Sequence, residues 1–335
     1  MANTILIREL NKKKIREELK AMRESTIFTL SQKTGLSMVT VKAALNEMTE
    51  SGEVFPWHTV PSGGGRPSML YQYQPHFRHA LLIYGFQKNE GNLIRALVVN
   101  LYGECAWRQE TVVQDVQPES FCPLIEAALQ RFPNLAVIGF GLPGVEENGI
   151  ITVNDYEHLV GVAFREYYQQ KYSLPVIYLN DVNAAVKSRG AASPDTGCLV
   201  GIYFPRLYPP GAGMVIRSEV HTGAHGFAGE IGGLLPDIDW VRMDYSDPQA
   251  VRGAIARMLA IYCRIAAPDR FVLYGDFFRD EDAARIRSVT EKLLGNRYSV
   301  DVSVSAEFER DFEQGMILAA LGRIDETLFS SEGWV

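Results

Sequence analysis

The sequence predicts an α/β protein of two unlike parts: a small helical module closed by a β-hairpin, then a longer body in which one order of strands and helices occurs twice. Three observations carry this. Ser25 to Tyr73 reads as two short helices around a glycine turn, followed by a hairpin. From His79 onward apolar strands alternate with amphipathic helices. The charge is also divided. Residues 1–75 hold 10 of the 33 Lys and Arg but only 7 of the 40 Asp and Glu, so an amino end of +3 precedes a body of −10 within a net charge of −7.

Taken in order, a helix from Glu9 to Arg23 carries Lys12, Lys13 and Lys14, which either touch phosphates or mark a solvated helix start. Ile27 and Leu30 open the apolar face of the next helix, Gly35 sits at the bend, Leu36 plugs the junction and Ser37 caps the following helix. In that helix Val41, Leu45 and Met48 fall at i, i+4 and i+7, a core stripe. The opposite stripe holds Val39, Thr40, Lys42, Ala43 and Asn46. Small apolar groups can meet thymine methyls, Asn can pair with adenine, and Lys can reach guanine or phosphate. Gly52 ends the helix, and a hairpin from Phe55 to Tyr73 follows, with Ser62 to Pro67 at its tip. Glycines around Arg66 let backbone lie close to DNA while the guanidinium enters a narrow minor groove; a flexible hairpin with an incidental Arg is the bland reading. Together these features make a winged helix-turn-helix whose expected DNA contacts are Ser37, Thr40, Lys42, Ala43, Asn46, Gly65 and Arg66.

In the body, Ala80–Phe86, Leu93–Leu101 and Cys105–Val112 read as strands, then a helix near Pro118–Phe132, a strand Leu135–Phe140, a helix near Val162–Tyr172, a strand Val176–Leu179 and a helix from Val182. The order repeats. Strands at Cys198–Phe204, Gly213–Arg217 and Ser218–His221 lead to a helix Pro248–Ile265, a strand Phe271–Tyr274, a helix Asp280–Leu294, a strand Ser299–Val304 and a helix Glu309–Leu321. Two such halves around a cleft form the two-lobed architecture of the actin and hexokinase superfamily, which is ribonuclease H-like. The expected divisions are residues 1–76 for the winged helix, 77–190 for the first lobe and 191–335 for the second.

Composition sets outer limits. At 47% hydrophobic and 22% charged, 335 residues are an ordinary globular chain, with no run apolar enough to span a bilayer and no apolar signal-peptide core near Arg8 to Lys14, so cytoplasmic residence is expected. Cys105, Cys122, Cys198 and Cys263 lie far apart, fitting reduced thiols and offering no zinc spacing.

Four segments carry the chemistry: Gly139-Phe140-Gly141-Leu142-Pro143-Gly144-Val145, Leu179-Asn180-Asp181-Val182-Asn183-Ala184-Ala185, Gly211-Ala212-Gly213, and Gly223-Ala224-His225-Gly226-Phe227-Ala228-Gly229-Glu230-Ile231-Gly232. Asn180 and Asp181 end a buried strand, where side chains project into a cleft, and an adjacent amide and carboxylate suit neighbouring hydroxyls. Asp181 as a plain helix N-cap is the competing reading. With the winged helix in front, the chain resembles the ROK family of repressors, open reading frames and kinases over nearly its whole length. The resemblance implies that Asn180, Asp181 and Glu230, with Gly141, Pro143 and Gly144, form a sugar site, Asp181 standing where the kinases have their general base. Asp155 and His158 fall in a loop that also contacts sugar in the family, a plain surface turn being the competing reading.

Departures from the family point away from catalysis. The metal-organising Asp-x-Gly-Gly-Thr-like turn of the kinases reads Tyr84-Gly85-Phe86-Gln87-Lys88. The second phosphate loop reads Phe204-Pro205-Arg206-Leu207-Tyr208-Pro209-Pro210, where prolines remove N–H donors. A later glycine pair is Gly275-Asp276. The family's Gly-Glu-x-Gly-His ends here as Gly229-Glu230-Ile231-Gly232-Gly233, and the cysteines of zinc-bearing members are absent. The expectation is a regulator without cofactor, metal or catalytic residue. Its partners are operator DNA, a sugar or sugar derivative, and a second copy of itself as homodimer or dimer of dimers. The alternatives are an ATP-dependent sugar kinase with an accessory DNA-binding domain, and a constitutive DNA-binding protein with a ligand-free body.

Overall fold

The computed structural model describes residues 2–61, 67–88 and 91–330. The amino module contains α1 (Ala2–Met22), β1 (Glu24–Thr26), α2 (Ile27–Thr34), α3 (Met38–Glu50), β2 (Val54–Val60) and β3 (Ser68–Tyr73). Thr26 caps α2 by accepting from Thr29 N–H at 3.1 Å. Gly35 then takes a left-handed φ of 70°, which closes α2 without a Cβ clash, and Ser37 caps α3 by accepting from Thr40 N–H. Leu30, Val41, Leu45 and Met48 are buried against Ile15 and Leu19 of α1, as the stripe predicts. The small sheet has the order β1-β3-β2. β1 escapes sequence reading because three residues cannot display a period.

The body repeats one topology. β4 (His79–Lys88), β5 (Gly91–Val99), β6 (Cys105–Val113), α4 (Cys122–Arg131), β7 (Leu135–Gly141), the hairpin β8 (Val145–Glu147) and β9 (Ile150–Val153), α5 (Phe164–Tyr172), β10 (Val176–Leu179) and α6 (Asp181–Ala191) build the first half. β11 (Cys198–Tyr203), β12 (Gly211–Ile216), β13 (Glu219–Val220), α7 (Pro248–Ile265), β14 (Arg270–Tyr274), α8 (Asp282–Leu293), β15 (Asp301–Ser305) and α9 (Phe308–Ser330) build the second. Sheet orders β10-β7-β4-β5-β6 and β13-β12-β11-β14-β15 are equivalent, with β4 and β11 central and the pairs β4/β7, β7/β10, β11/β14 and β14/β15 parallel.

Cores lie on both faces of each sheet. α4 and α5 cover the outer face of the first sheet, and α7 and α8 that of the second. Between the sheets α6 and α9 share a core that runs on into the winged module. The helices approach so closely that a Cβ on Gly315 would stand 1.7 Å from the Ala184 carbonyl oxygen. α9 extends past the end expected from sequence and reaches α1, where Lys20 pairs with Asp325 at 2.6 Å. Arg23 adds a pair to Glu104 at 2.9 Å and lies 4.4 Å from the Tyr102 ring centre. One continuous helix thus runs from the interface of the sheets to the winged module. Among the described residues no helix is long and apolar enough to cross a membrane.

Candidate ligand cleft and nucleic-acid interface

On α3, Ser37, Val39, Lys42, Ala43 and Asn46 are exposed on one face, Val39 at 79%. The Ser37 and Thr40 hydroxyls lie 2.8 Å apart in the helix cap, so Thr40 is half-buried and partly engaged in folding. Lys12 is not a phosphate contact: it is buried between Glu9 at 3.2 Å and Glu47 at 3.1 Å. The wing brings an exposed Trp57 that sequence reading passed over. Its tip, with Gly65 and Arg66, lies outside the described residues.

The cleft is organised at the start of α6. Asn180, not Asp181, is the N-cap: its Oδ1 accepts from Val182 N–H at 2.9 Å and Asn183 N–H at 3.2 Å. Its Nδ2 donates to the Gly144 carbonyl at 3.1 Å. The family glycines and proline serve this arrangement. Gly144 has φ 98°, and a Cβ there would strike the Val153 carbonyl oxygen at 2.0 Å. The Pro143 carbonyl accepts from Asn154 Nδ2 at 2.7 Å and from the Tyr178 hydroxyl at 3.0 Å. Gly141 admits the Phe312 ring. Gly144 and Pro143 therefore build the wall beside Asn180, whereas Asp181 begins the helix and shares the Val182 N–H, its Oδ1 accepting at 2.9 Å.

Glu230 reaches the same place from the second half. Gly229, at φ 109°, leaves no room for a Cβ beside the Ala212 carbonyl oxygen, and its own carbonyl accepts from Ala212 N–H at 2.9 Å. The preceding loop meets the β8–β9 hairpin, His225 Nδ1 lying 2.5 Å from Glu147 Oε1. Asp181 and Glu230 both feel the charge of Asp155, whereas His158 pairs with Asp115 at 3.2 Å. Burial, reinforced by the charges of Asp155 and Glu230, pushes the Asp181 carboxyl up to about 7 against the lowering effect of Val182 N–H. Burial also raises Asp155 and Glu230, the latter further through Asp155. Three tyrosines feel the Asp181 charge: Tyr156, Tyr178 and Tyr203, each raised first by burial. Sequence reading missed all three, since a lone Tyr in a strand or loop has no pattern. Among the described residues no group of His, Cys, Asp and Glu could hold a metal ion.

Aromatic side chains gather near the ends of the central strands. β4 runs on past Phe86, the expected strand end, through the residues that stand at the kinases' turn, pairing Tyr84 with Arg95 and Lys88 with Gly91. Apolar bulk at this position prefers strand to an open glycine turn, and the rings then pack inward. The Phe312 ring centre lies 5.2 Å from Tyr84 and 5.8 Å from Phe86, and Phe308 stacks on Tyr203 at 3.8 Å and meets Tyr274 at 5.3 Å. This aromatic cluster spans both sheets at the ends of β4, β11 and β14. In the second loop Pro209 packs so that a Cβ on Gly232 would lie 2.6 Å from its own, and Arg206 pairs with Asp276 at 2.7 Å. Gly233 faces open space, so its missing side chain is not a steric requirement.

Residues 91–246 match the ROK family. A protein of Caldicellulosiruptor sp. (strain Rt8B.4) bearing a xylose-repressor name is 28% identical over 256 residues, 71% of this chain and 62% of that protein. The xylose repressor of Bacillus subtilis (strain 168) is 23% identical over 247 residues, 71% of this chain and 64% of the repressor. The chain thus spans under two thirds of the length of these relatives. A ROK family transcriptional regulator described as a homolog of E. coli MLC protein superposes over 95% of this chain and all of its own, with TM-score 0.61 and 14% identity. The ROK hexokinase from Thermus thermophilus covers 74% of this chain and 99% of itself, with TM-score 0.57 and 16% identity.

Proposed function

From the premise that this chain carries a ROK-family domain behind a winged helix-turn-helix, we propose that it is a sugar-sensing transcriptional repressor. It binds operator DNA through α3 and the wing, and a sugar in the cleft around Asn180, Asp181 and Glu230. The observation that carries this reading is the unequal fate of the two sides of the cleft. Groups suited to hydroxyls remain on one side, while Tyr84, Phe86, Phe308 and Phe312 occupy the other, where phosphate loops would have to stand. Repressor names among the relatives support the same choice.

Sugar binding would shift α6, and α9 packs along α6 before pairing with α1 through Asp325. The winged module is thereby tied to the cleft by a stiff element, and in a dimer the spacing of two such modules sets operator affinity. Exposed Leu6, Ile7 and Leu10 on α1 fit a self-associating surface.

Asn46→Ala should relax operator specificity at one base pair by roughly 1–3 kcal/mol, and Arg66→Ala should weaken binding to every sequence. Fluorescence anisotropy at fixed salt measures both; wild-type operator affinity in both variants overturns the docking geometry. A second measurement separates the repressor from the kinase. Incubation with ATP, magnesium and a panel of pentoses and hexoses should yield no sugar phosphate, and turnover that vanishes in Asp181→Asn would establish the kinase.

A further inference from the structure

We propose that the junction between the winged module and the body is a proton-sensitive clasp: His76, His79 and Asn134 hold the linker in place while His79 is neutral, and release it when His79 takes a proton. The clasp acts on the joint that mounts the winged module, whatever the cleft binds.

The linker runs from the end of β3 at Tyr73 to the start of β4 at His79. Gln74 N–H donates to the Glu53 carbonyl of the winged module at 2.8 Å, and the Pro75 carbonyl accepts from Leu101 N–H of the body at 2.9 Å. Asn134, in the turn before β7, grips the remainder. Its Nδ2 donates to the His76 carbonyl at 2.7 Å and to the Phe77 carbonyl at 3.3 Å, and its backbone carbonyl accepts from His79 N–H at 3.2 Å.

These donations settle the tautomers. With Nδ2 turned to the linker, Asn134 presents Oδ1, an acceptor only, to His79 Nδ1 at 2.9 Å. His79 therefore carries its proton on Nδ1, and in the neutral ring Nε2 is left as a lone pair. That lone pair faces His76 Nδ1 at 3.1 Å, so His76 is the donor. Each contact in the chain from His76 through His79 to Asn134 thus holds one proton. His76 is exposed and can take a further proton on Nε2, which the chain does not use. A further proton on His79 sets two N–H groups against each other and breaks the chain.

The surroundings oppose a charge on His79. Its side chain is buried at 4% exposure, with the Phe132 ring centre 4.9 Å away. Burial pulls its pKa below the ordinary 6.5, opposed by the bond to Asn134 and assisted by His76. The carboxylate that bears on His76 is Glu104, itself taken by Arg23 and by Asn100 Nδ2, each at 2.9 Å. Of the other cations near the junction, Arg78 lies over the Phe77 ring at 5.3 Å and Arg131 over Trp107 at 5.6 Å. A basic group lowered by folding contributes stability that is fully present above 6.5 and is lost as pH falls from there through its folded value.

Hydrogen exchange of the full chain, read by mass spectrometry and corrected for the chemical exchange rate, tests this at about pH 7.5 and about pH 5.5, on either side of the imidazole range. The peptides that carry the His79 and Leu101 amides should lose protection about tenfold or more at the lower pH, while those of β14 in the other lobe keep theirs. His79→Gln retains a donor and an acceptor but cannot become charged, so its linker should stay protected at both pH values. Asn134→Ala should leave the linker open at both. An NMR titration of the wild type should place the His79 ring below 6.5. Linker protection in the wild type that does not change with pH, an equal loss in a folded His79→Gln, or a His79 ring that titrates at or above 6.5 overturns the proposal. Should His79→Gln fail to fold, the wild-type exchange and titration decide alone. Neither sugar nor operator is present, so failure here leaves the effector reading untouched.

Discussion

Gly315→Ala should unfold the molecule at far lower denaturant than wild type, losing about 3 kcal/mol or more. The added methyl would have to occupy the space of the Ala184 carbonyl, 1.7 Å from its oxygen, and backbone at a helix crossing cannot swing aside as a flexible side chain can. α6 and α9 would separate, removing the support of the cleft together with its link to α1. Gly322→Ala on the same helix provides the opposite case. That position meets nothing within 4 Å and is exposed, so the substitution should stabilise by about 0.5–1 kcal/mol through helix propensity. Urea unfolding of both variants measures the pair, and similar midpoints would show that the crossing is looser than described.

Asp181→Asn should have the larger functional effect, and a stability effect of unexpected sign. A carboxyl raised from 3.8 to about 7 favours its protonated form in the folded state. Its contribution is fully present below pH 3.8 and is lost as pH rises through about 7. At pH 8 the folded ligand-free protein therefore holds an unfavourable charge. Asparagine keeps an acceptor for Val182 N–H without that charge. At about 1.4 kcal/mol for each of some three pH units, the ceiling is near 4 kcal/mol. Allowing for solvent that reaches the cleft, a gain of roughly 2 kcal/mol at pH 8, vanishing by pH 4, is expected. Thermal unfolding at the two pH values checks it, and a variant less stable than wild type at pH 8 would mean that Asp181 is already stabilised by a contact within the fold.

Much of this architecture was legible because its signals are local. Gly35 and Ser37 specify a turn and a cap from their own chemistry, and Val41, Leu45 and Met48 show their period within three helical turns. Pro248 likewise marks the start of α7 at the expected residue, with Asp247 as its cap. What stayed hidden depends on contacts distant in sequence. β1 is a strand only because β3 pairs with it, and β4 runs past the expected end at Phe86 to Lys88 because β5 pairs with it as far as Gly91. Asp181 and Glu230 could be named from their motifs, but the capping duty of Asn180 depends on its side chain being held by the Gly144 carbonyl beyond the end of the neighbouring strand β7. Tyr156 had no signal at all: only the fold leaves its hydroxyl buried and unpartnered beside Gly85.

In the proposed function a ligand in the cleft changes binding at DNA. Operator binding titrated with an effector sugar, in wild type and in Asp181→Asn, tests it most directly. The sugar should shift operator affinity of the wild type by about tenfold or more, and Asp181→Asn should bind operator without sugar but no longer respond. A variant that responds at the wild-type sugar concentration, or a wild type whose operator affinity is indifferent to a sugar it demonstrably binds, would contradict it.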